Sequence, residues 1–362
     1  MNWTIKYLLP LVLSIIISLI AQRSVAHIAY RRKIFDSTNA RKMHTGMVPR
    51  LGGLAFLPTV LLSLCICLFV WALGGDCLSV FELRPNGITK IIICGIAFVI
   101  VYLTGLWDDF LEIGYKQKFV LQLAAALFLV SIGIRIDDLC GIFGIHEIPW
   151  YISWPLSAIA VVFIINSFNL IDGIDGLASS LAILTFLFYG MILIMADIRS
   201  LTILCIILAG TLIGFSYFNI FGKTCSRNKI FMGDTGSMTT AMAIASTGII
   251  ILHADTSQNP EWNMVVVLSP MLIPYFDAFR VMFTRILHSS NPFLPDCNHI
   301  HHKFLKSGIS QRKTLYYILT EASFLIAINL LLIRYLNINI VLLIDIALYI
   351  LFIRMIRKPT NT

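Results

Sequence analysis

The chain is 362 residues long, 58% hydrophobic and only 13% charged, with a mean hydropathy of +0.86 and a formal net charge of +8. A soluble domain carries about 25% charged residues, and disorder is a low-hydrophobicity state. The composition excludes both and points to a polytopic membrane protein. In a soluble chain the positive charge would suggest nucleic acid; here basic loops at one membrane face account for it, and no nucleic-acid partner is expected. The eight cysteines form no C-x-x-C pair, and several lie in apolar runs, so they read as apolar fillers.

A helix needs about 20 apolar residues to cross the hydrocarbon. Eleven candidate runs occur, over 4–22, 51–73, 89–107, 119–134, 152–170, 179–196, 201–218, 237–253, 263–287, 314–334 and 337–354. The first, behind Lys6, imitates a signal peptide. Basic sequence and ten further apolar runs follow it, so it is expected to be retained as a span. Helices alone satisfy their own backbone groups on this scale of hydrophobicity. The expected fold class is therefore all-α, an integral membrane protein of about eleven transmembrane helices. It forms a single domain over 1–362, with its motifs between about 41 and 305.

Basic residues set the expected orientation. With the loops after spans 1, 3, 5, 7 and 9 and the C-terminus on one side, that side holds 21 of the 27 Lys and Arg. By the positive-inside rule it is cytoplasmic, with the N-terminus outside and the C-terminus inside. The same side carries carboxylates at span ends, where an acid beside hydrocarbon is costly unless paired, hydrated or coordinated.

The third span ends in Trp107-Asp108-Asp109-Phe110-Leu111-Glu112, followed by Lys116, Lys118 and Gln122. Two adjacent Asp at a helix end can supply a metal ligand and a base, and Mg²⁺ prefers such oxygen donors; a plain acidic helix cap fits as well. The fifth span ends in Asn166, Asn169, Asp172, Gly173, Asp175 and Gly176. The three-residue spacing keeps the amides on one arc, for ligand contact or for bonds across helices. Asn219 and then Lys229 to Ser237 precede the eighth run, with Asp234 between glycines at a helix start, a place that favours an anion or a simple cap. Asp296-Cys297-Asn298-His299-Ile300-His301-His302-Lys303 offers histidines for phosphate or, as a rival reading, zinc. Asp277 and Arg280, one turn apart, read first as an intrahelical pair. Arg41, Lys42, His44, Arg50 and the Gly52-Gly53 pair supply cations and a flexible turn. Gly222-Lys223-Thr224 lacks the first glycine of a phosphate-binding loop and is set aside. Carboxylates, amides, cations and histidines thus gather at one membrane face, which suits phosphoryl transfer between a soluble nucleotide and a membrane lipid.

In combination these motifs resemble the polyprenyl-phosphate N-acetylhexosamine-1-phosphate transferases. They are P-R-L-G-G at 49–53, Asp108-Asp109, N-x-x-N-x-x-D-G-I-D-G-L-A at 166–178, F-M-G-D-T-G-S at 231–237 and H-I-H-H at 299–302. The H-I-H-H form is similar to the branch using UDP-N-acetylglucosamine; the branch taking UDP-muramoyl-pentapeptide typically has a contiguous histidine run. The resemblance implies an enzyme in the bacterial cytoplasmic membrane. Such an enzyme moves HexNAc-1-phosphate, most naturally GlcNAc-1-phosphate, from a UDP-sugar to undecaprenyl phosphate, releases UMP and starts a lipid-linked surface polysaccharide such as O-antigen. It implies Mg²⁺, with Mn²⁺ as a substitute, and Asp234 and Asp109 as metal ligands. Asp108, Asp109, Asp172 and Asp175 would serve the chemistry. Lys118, Asn166, Asn169, Phe231, Arg280, His299, His301 and His302 would hold the substrates, with Phe231 stacking on uracil. Membrane lipid is a partner, and a homodimer is open. Two departures bear on the sugar and the acids: Glu112 stands where the acidic motif often ends in Asp, and Cys297 where Arg often precedes the histidines. A transporter is the rival class, because Glu321 and Asp345 lie inside spans. Transporters place their charges near the midplane, whereas most acids here lie at one face.

Overall fold

The computed structural model describes residues 3–35, 48–73, 87–254, 259–288 and 298–356. Arg41, Lys42, His44, Asp296 and Cys297 lie outside the described residues. The helices are α1 (Trp3–Arg31), α2 (Phe56–Leu73), α3 (Gly87–Leu111), α4 (Tyr115–Ser131), α5 (Trp150–Ile171), α6 (Leu177–Met195), α7 (Arg199–Phe221), α8 (Gly233–Leu252), α9 (Pro260–Leu268), α10 (Leu272–Leu287), α11 (Ile300–Lys306), α12 (Gln311–Leu332) and α13 (Ile338–Met355). Among the described residues there is no strand, only an isolated bridge between Asp138 and Glu147. The architecture is that of an all-α polytopic membrane protein.

Ten candidate spans among the described residues are long and apolar enough to cross a membrane, with α9 and α10 together forming one of them. The eleventh expected run is α4, which starts earlier than 119, at Tyr115, and spans 17 residues, about 26 Å at 1.5 Å per residue. It therefore draws Lys116 and Lys118 into its first turn. The run expected over 263–287 is not one helix. A 3₁₀ turn at Ser269–Met271 separates α9 from α10, because Pro270 and Pro274 cannot donate to the ladder.

The least apolar of the ten spans, α8, is the most deeply buried: 16 of its 20 residues are buried. Lipid accepts any apolar surface, so association inside a membrane protein selects small residues that let backbones approach. α8 is built mostly from Gly, Ala, Ser, Thr and Met, and its hydroxyls bond back into its own ladder, as Thr239 Oγ1 does to the Thr235 carbonyl (2.6 Å). Helices α3, α5, α6 and α9 pack around it. The outer faces are lined by exposed Leu, Ile, Val and Phe, for example Leu8, Leu61, Ile91 and Phe283, as a lipid-facing surface requires.

Asp345, well inside α13, is buried and accepts from Asn329 of α12 (3.1 Å), which also reaches Ser269 at the break (3.2 Å). This polar triad ties the last two helices to the broken span.

Candidate active site

The buried N-terminus of α8 organises the site. A helix start leaves backbone N–H groups without intrahelical partners, and here a carboxylate from another helix supplies them. Asp109, at the end of α3, accepts from Asp234 N (2.7 Å) through Oδ1. Its Oδ2 accepts from Thr235 N (2.9 Å) and Thr235 Oγ1 (2.6 Å). The negative charge also meets the positive end of the α8 dipole. Gly233, just before, has φ +71°, and a Cβ there would lie 2.3 Å from the Arg50 carbonyl and 2.7 Å from Asp109 Oδ2. Only glycine fits that approach.

The neighbouring Asp108 points elsewhere. Lys118 Nζ lies 3.1 Å from Asp108 Oδ2 and 3.2 Å from Asp234 Oδ2, all three side chains being largely buried. One ammonium thus bridges two carboxylates from α3 and α8. Asn169 of α5 completes the arrangement, donating to Asp234 Oδ1 and to Ser237 Oγ (2.7 Å). Asp172 caps the end of the same helix. Burial, and next the negative charge of Asp234, push its carboxyl up to about 7.

The other predicted residues divide into two groups. Asn166 donates to Gln122 Oε1 (2.7 Å) and to its own helix at the Val162 carbonyl (2.8 Å), so its amide joins α4 to α5. Asp175 is engaged by Lys229 (2.6 Å), whose ammonium also meets the Asn219 carbonyl. Asn219 in turn accepts from Gly176 N (2.6 Å) and donates to the Ile230 carbonyl (2.9 Å). This lock fixes the D-G-I-D-G turn against the strand-like segment that leads to Phe231, a half-buried ring. That segment is paired with residues 49–53: Phe231 N donates to Pro49 O (2.9 Å), Gly52 N to Phe231 O (2.9 Å) and Gly53 N to Met232 O (2.8 Å). The Gly52-Gly53 pair was expected to be a flexible turn. Both glycines are instead buried and pinned, serving close backbone approach. Glu112 is exposed, with φ +47°, beyond the carboxylate cluster.

The histidine motif is held by Asp277 of α10. Its carboxylate accepts from Ile300 N (3.0 Å), Arg280 (2.6 Å) and Tyr349 of α13 (3.2 Å), and it lies 2.8 Å from His299 Nδ1. Arg280 also reaches the Asn298 carbonyl (2.6 Å). The Asp277–Arg280 pair expected within one helix is present, and it is part of a wider hub. Buried charge of this kind is sustained only by such complete pairing. His301 is 1% exposed, and neither ring nitrogen has a partner among the described residues. Its ring lies on Gly173, where a Cβ would come within 1.9 Å of Nε2. Burial, followed by the neighbouring His302 and His299, pushes its pKa down to about 3, so at neutral pH it is an uncharged hydrogen-bonding group. His302 packs against it at 4.2 Å between ring centroids.

The structure therefore brings Asp108, Asp109, Lys118, Asn169, Asp172 and Asp234 into one cluster, with His301 joining it through Gly173. Asp175, Asn166, Arg280 and His299 act as the frame around it. Thr235, Ser237, Gln122 and Tyr349 complete the frame. From the sequence, Thr235 and Ser237 read as simple caps of the eighth run, and Gln122 as a phosphate contact or a neighbour of the acids; the structure instead bonds Thr235 to Asp109, Ser237 to Asn169 and Gln122 to Asn166. Tyr349, 72 residues from Asp277, carries no signal in the sequence.

Residues 91–252 match glycosyl transferase family 4. A Bacillus subtilis (strain 168) protein named "Probable undecaprenyl-phosphate N-acetylglucosaminyl 1-phosphate transferase" is 30% identical over 86% of this chain and 80% of its own length. The chain belongs to this transferase family. Two further relatives of the family 4 chain are named undecaprenyl-phosphate alpha-N-acetylglucosaminyl 1-phosphate transferase. The one from Yersinia pestis is 30% identical over 83% of this chain and 78% of the relative. The one from Escherichia coli (strain K12) is 29% identical over 84% and 78%. The matched stretch 91–252 contains Asp108, Asp109, Lys118, Asn169, Asp172 and Asp234, so the family region and the carboxylate cluster coincide.

Proposed function

We propose that the family 4 chain transfers GlcNAc-1-phosphate from UDP-GlcNAc to undecaprenyl phosphate. It would act at the cytoplasmic face of the bacterial cytoplasmic membrane, with N-terminus out and C-terminus in, and release UMP. The observation that carries this reading is the pair Asp108 and Asp234, two half-buried carboxylates facing one cation at the end of a membrane bundle. The relatives' names supply the sugar and the lipid.

The donor set fits Mg²⁺. Asp108 Oδ2 and Asp234 Oδ2 are hard oxygen donors that already share an ammonium, so a cation is what this pair holds. When bound, Mg²⁺ offsets charge on the diphosphate and on the leaving phosphate. We assign Asp234 as its principal protein ligand and Asp108 as the second. Asp109, with three hydrogen bonds into the start of α8, holds Asp234 in place. An oxygen of the acceptor phosphate attacks the sugar-bearing phosphorus. The bond from that phosphorus to the bridging oxygen breaks, and UMP leaves with that oxygen. One anhydride replaces another, so the reaction is nearly balanced. The acceptor phosphate is already largely ionised near neutral pH, and the main work of Lys118, with its positive charge, is positioning. His301, uncharged and unpartnered, is placed to donate to a phosphate or sugar oxygen beside Asp172.

The test is a donor panel. Purified full-length protein in detergent is given undecaprenyl phosphate, Mg²⁺ and, separately, UDP-GlcNAc, UDP-GalNAc and UDP-MurNAc-pentapeptide. UMP and lipid-linked product from UDP-GlcNAc are expected. Product from another donor alone would refute the sugar assignment, and no UMP from any of them would refute the transferase reading.

A further inference from the structure

A second basic site lies apart from the carboxylate cluster, between the end of α1 and the turn after α7. A cavity of about 1210 Å³ opens there, lined on one wall by Arg23, His27, Tyr30 and Arg31 and on the other by Tyr217 and Arg227. We propose that this groove binds the phosphate of an anionic phospholipid headgroup.

Three observations carry the proposal. The first is charge. Arg23, His27 and Arg31 are spaced by four residues and so form one stripe along α1. Arg227 faces them from a compact turn, where its own N–H bonds the Thr224 carbonyl (3.0 Å) and its φ is +52°. Among the described residues no Asp or Glu lines the cavity, and Arg23, Arg31 and Arg227 make no ion pair. The positive-inside rule explains why arginines lie at this end of the bundle. It does not explain why two separate segments line one cavity with them, with no acid among its described lining residues.

The second observation is depth. α1 has 29 residues, about 44 Å of helix at 1.5 Å per residue, against about 30 Å of hydrocarbon. Its outward residues Leu8, Val12, Ile16 and Ile20 are exposed apolar side chains. The next residues at that spacing, Ser24 and Ile28, line the cavity. The lipid-facing surface thus runs directly into the basic groove, at the depth of the headgroups. Basic pockets between spans at this level are where anionic headgroups bind. The third is an unmet polar atom: Tyr30 Oη is buried and has no partner among the described residues, although it borders the cavity and can donate to a phosphate oxygen. Tyr217, 56% exposed, supplies an amphipathic ring of the kind that settles at the headgroup level.

The groove shares no lining residue with the carboxylate cluster, although it is close to it in the chain. Gln22, one residue before Arg23, donates to the Gly52 carbonyl (2.9 Å) in the segment paired with Phe231.

The experiment is native mass spectrometry of the purified full-length protein with phosphatidylglycerol and phosphatidylcholine of matched chains. The wild type is expected to retain phosphatidylglycerol preferentially. Arg23→Gln/Arg31→Gln/Arg227→Gln should weaken that retention by about fivefold per arginine removed, leaving phosphatidylcholine unchanged. The corresponding triple Arg→Lys variant should keep most of it. If the triple Gln variant does not fold, Arg227→Gln alone, in a surface turn, should still lose about fivefold. Equal retention of the two lipids by the wild type, or unchanged phosphatidylglycerol retention in the folded variants, would overturn the proposal. So would complete displacement of phosphatidylglycerol by millimolar inorganic phosphate, which would make the groove a site for a soluble anion.

Discussion

Replacing Asp109 by Asn separates a structural acid from a chemical one. The carboxylate accepts three hydrogen bonds, at 2.7, 2.9 and 2.6 Å, from the start of α8. An amide has one acceptor oxygen. If that oxygen serves Thr235, the NH₂ group faces the Asp234 N–H, donor against donor. One charge-assisted bond, worth about 2 kcal/mol, is lost, and a buried N–H is left unpaired at a further ~1–3 kcal/mol. Loss of the charge at the helix start costs ~0.5–1 kcal/mol more. Asp109→Asn should therefore destabilise the protein by about 4 kcal/mol, with the mobile end of α8 carrying Asp234 out of register. The assay is equilibrium unfolding in mixed micelles, followed by tryptophan fluorescence, alongside UMP release. Asp234→Asn, in contrast, should lose turnover with a much smaller stability loss, because Asp109 still caps the helix. An Asp109→Asn protein as stable as the wild type but inactive would refute the capping argument and return Asp109 to the reaction itself.

Gly173→Ala should displace His301, since the new Cβ would stand 1.9 Å from its Nε2; the expected outcome is a raised KM for the UDP-sugar with the fold retained, read by steady-state kinetics and circular dichroism. Asp175→Asn and Lys229→Met should each cost about 3–5 kcal/mol alone, because each strands a largely buried partner. The double variant should cost less than the sum of the two, a coupling that a double-mutant cycle in unfolding experiments would reveal. Asp172 is raised from 3.8 to about 7 by burial and by Asp234. The folded state therefore holds its proton more tightly than the unfolded chain. That stabilisation is full below about pH 4 and is lost as the pH rises to about 7. In metal-free buffer the stability of Asp172→Asn relative to the wild type should accordingly improve over that window, measured by unfolding at stepped pH. Tyr349→Phe removes one of the four contacts to Asp277 and should lower turnover severalfold while leaving Mg²⁺ dependence unchanged.

Much of this was legible in the sequence because span ends carry their chemistry with them. Asp108, Asp172, Asp234 and His301 stand at helix termini, and once the apolar runs are counted they must fall on one face of the bundle. What was not legible depends on pairing across helices. The order of burial is an example: α8 has the weakest hydropathy signal of the ten spans but sits at the centre, since small residues rather than apolar ones select the interior of a membrane bundle. The division of labour between Asp108 and Asp109 is another. Adjacent residues on a helix point about 100° apart, so one reaches Lys118 and the other the α8 terminus, and only the neighbouring helices decide which. Asn166 reads first as a ligand contact and only second as a cross-helix bond, yet Gln122, on α4, is its partner. Asp277 was visible as a pair with Arg280, but its bonds to Ile300 and Tyr349 span 23 and 72 residues of sequence, beyond the reach of any local pattern.

Asp108 and Asp234, bridged by Lys118, are the proposed cation-holding transfer centre. The most direct measurement is UMP release from UDP-GlcNAc and undecaprenyl phosphate as Mg²⁺ is titrated, comparing wild type with Asp234→Asn. Mg²⁺-dependent release is expected in the wild type and a loss of at least about 100-fold in the variant, the scale of one lost electrostatic contact to the transition state. Full turnover by a folded Asp234→Asn protein, with the same Mg²⁺ dependence, would contradict it.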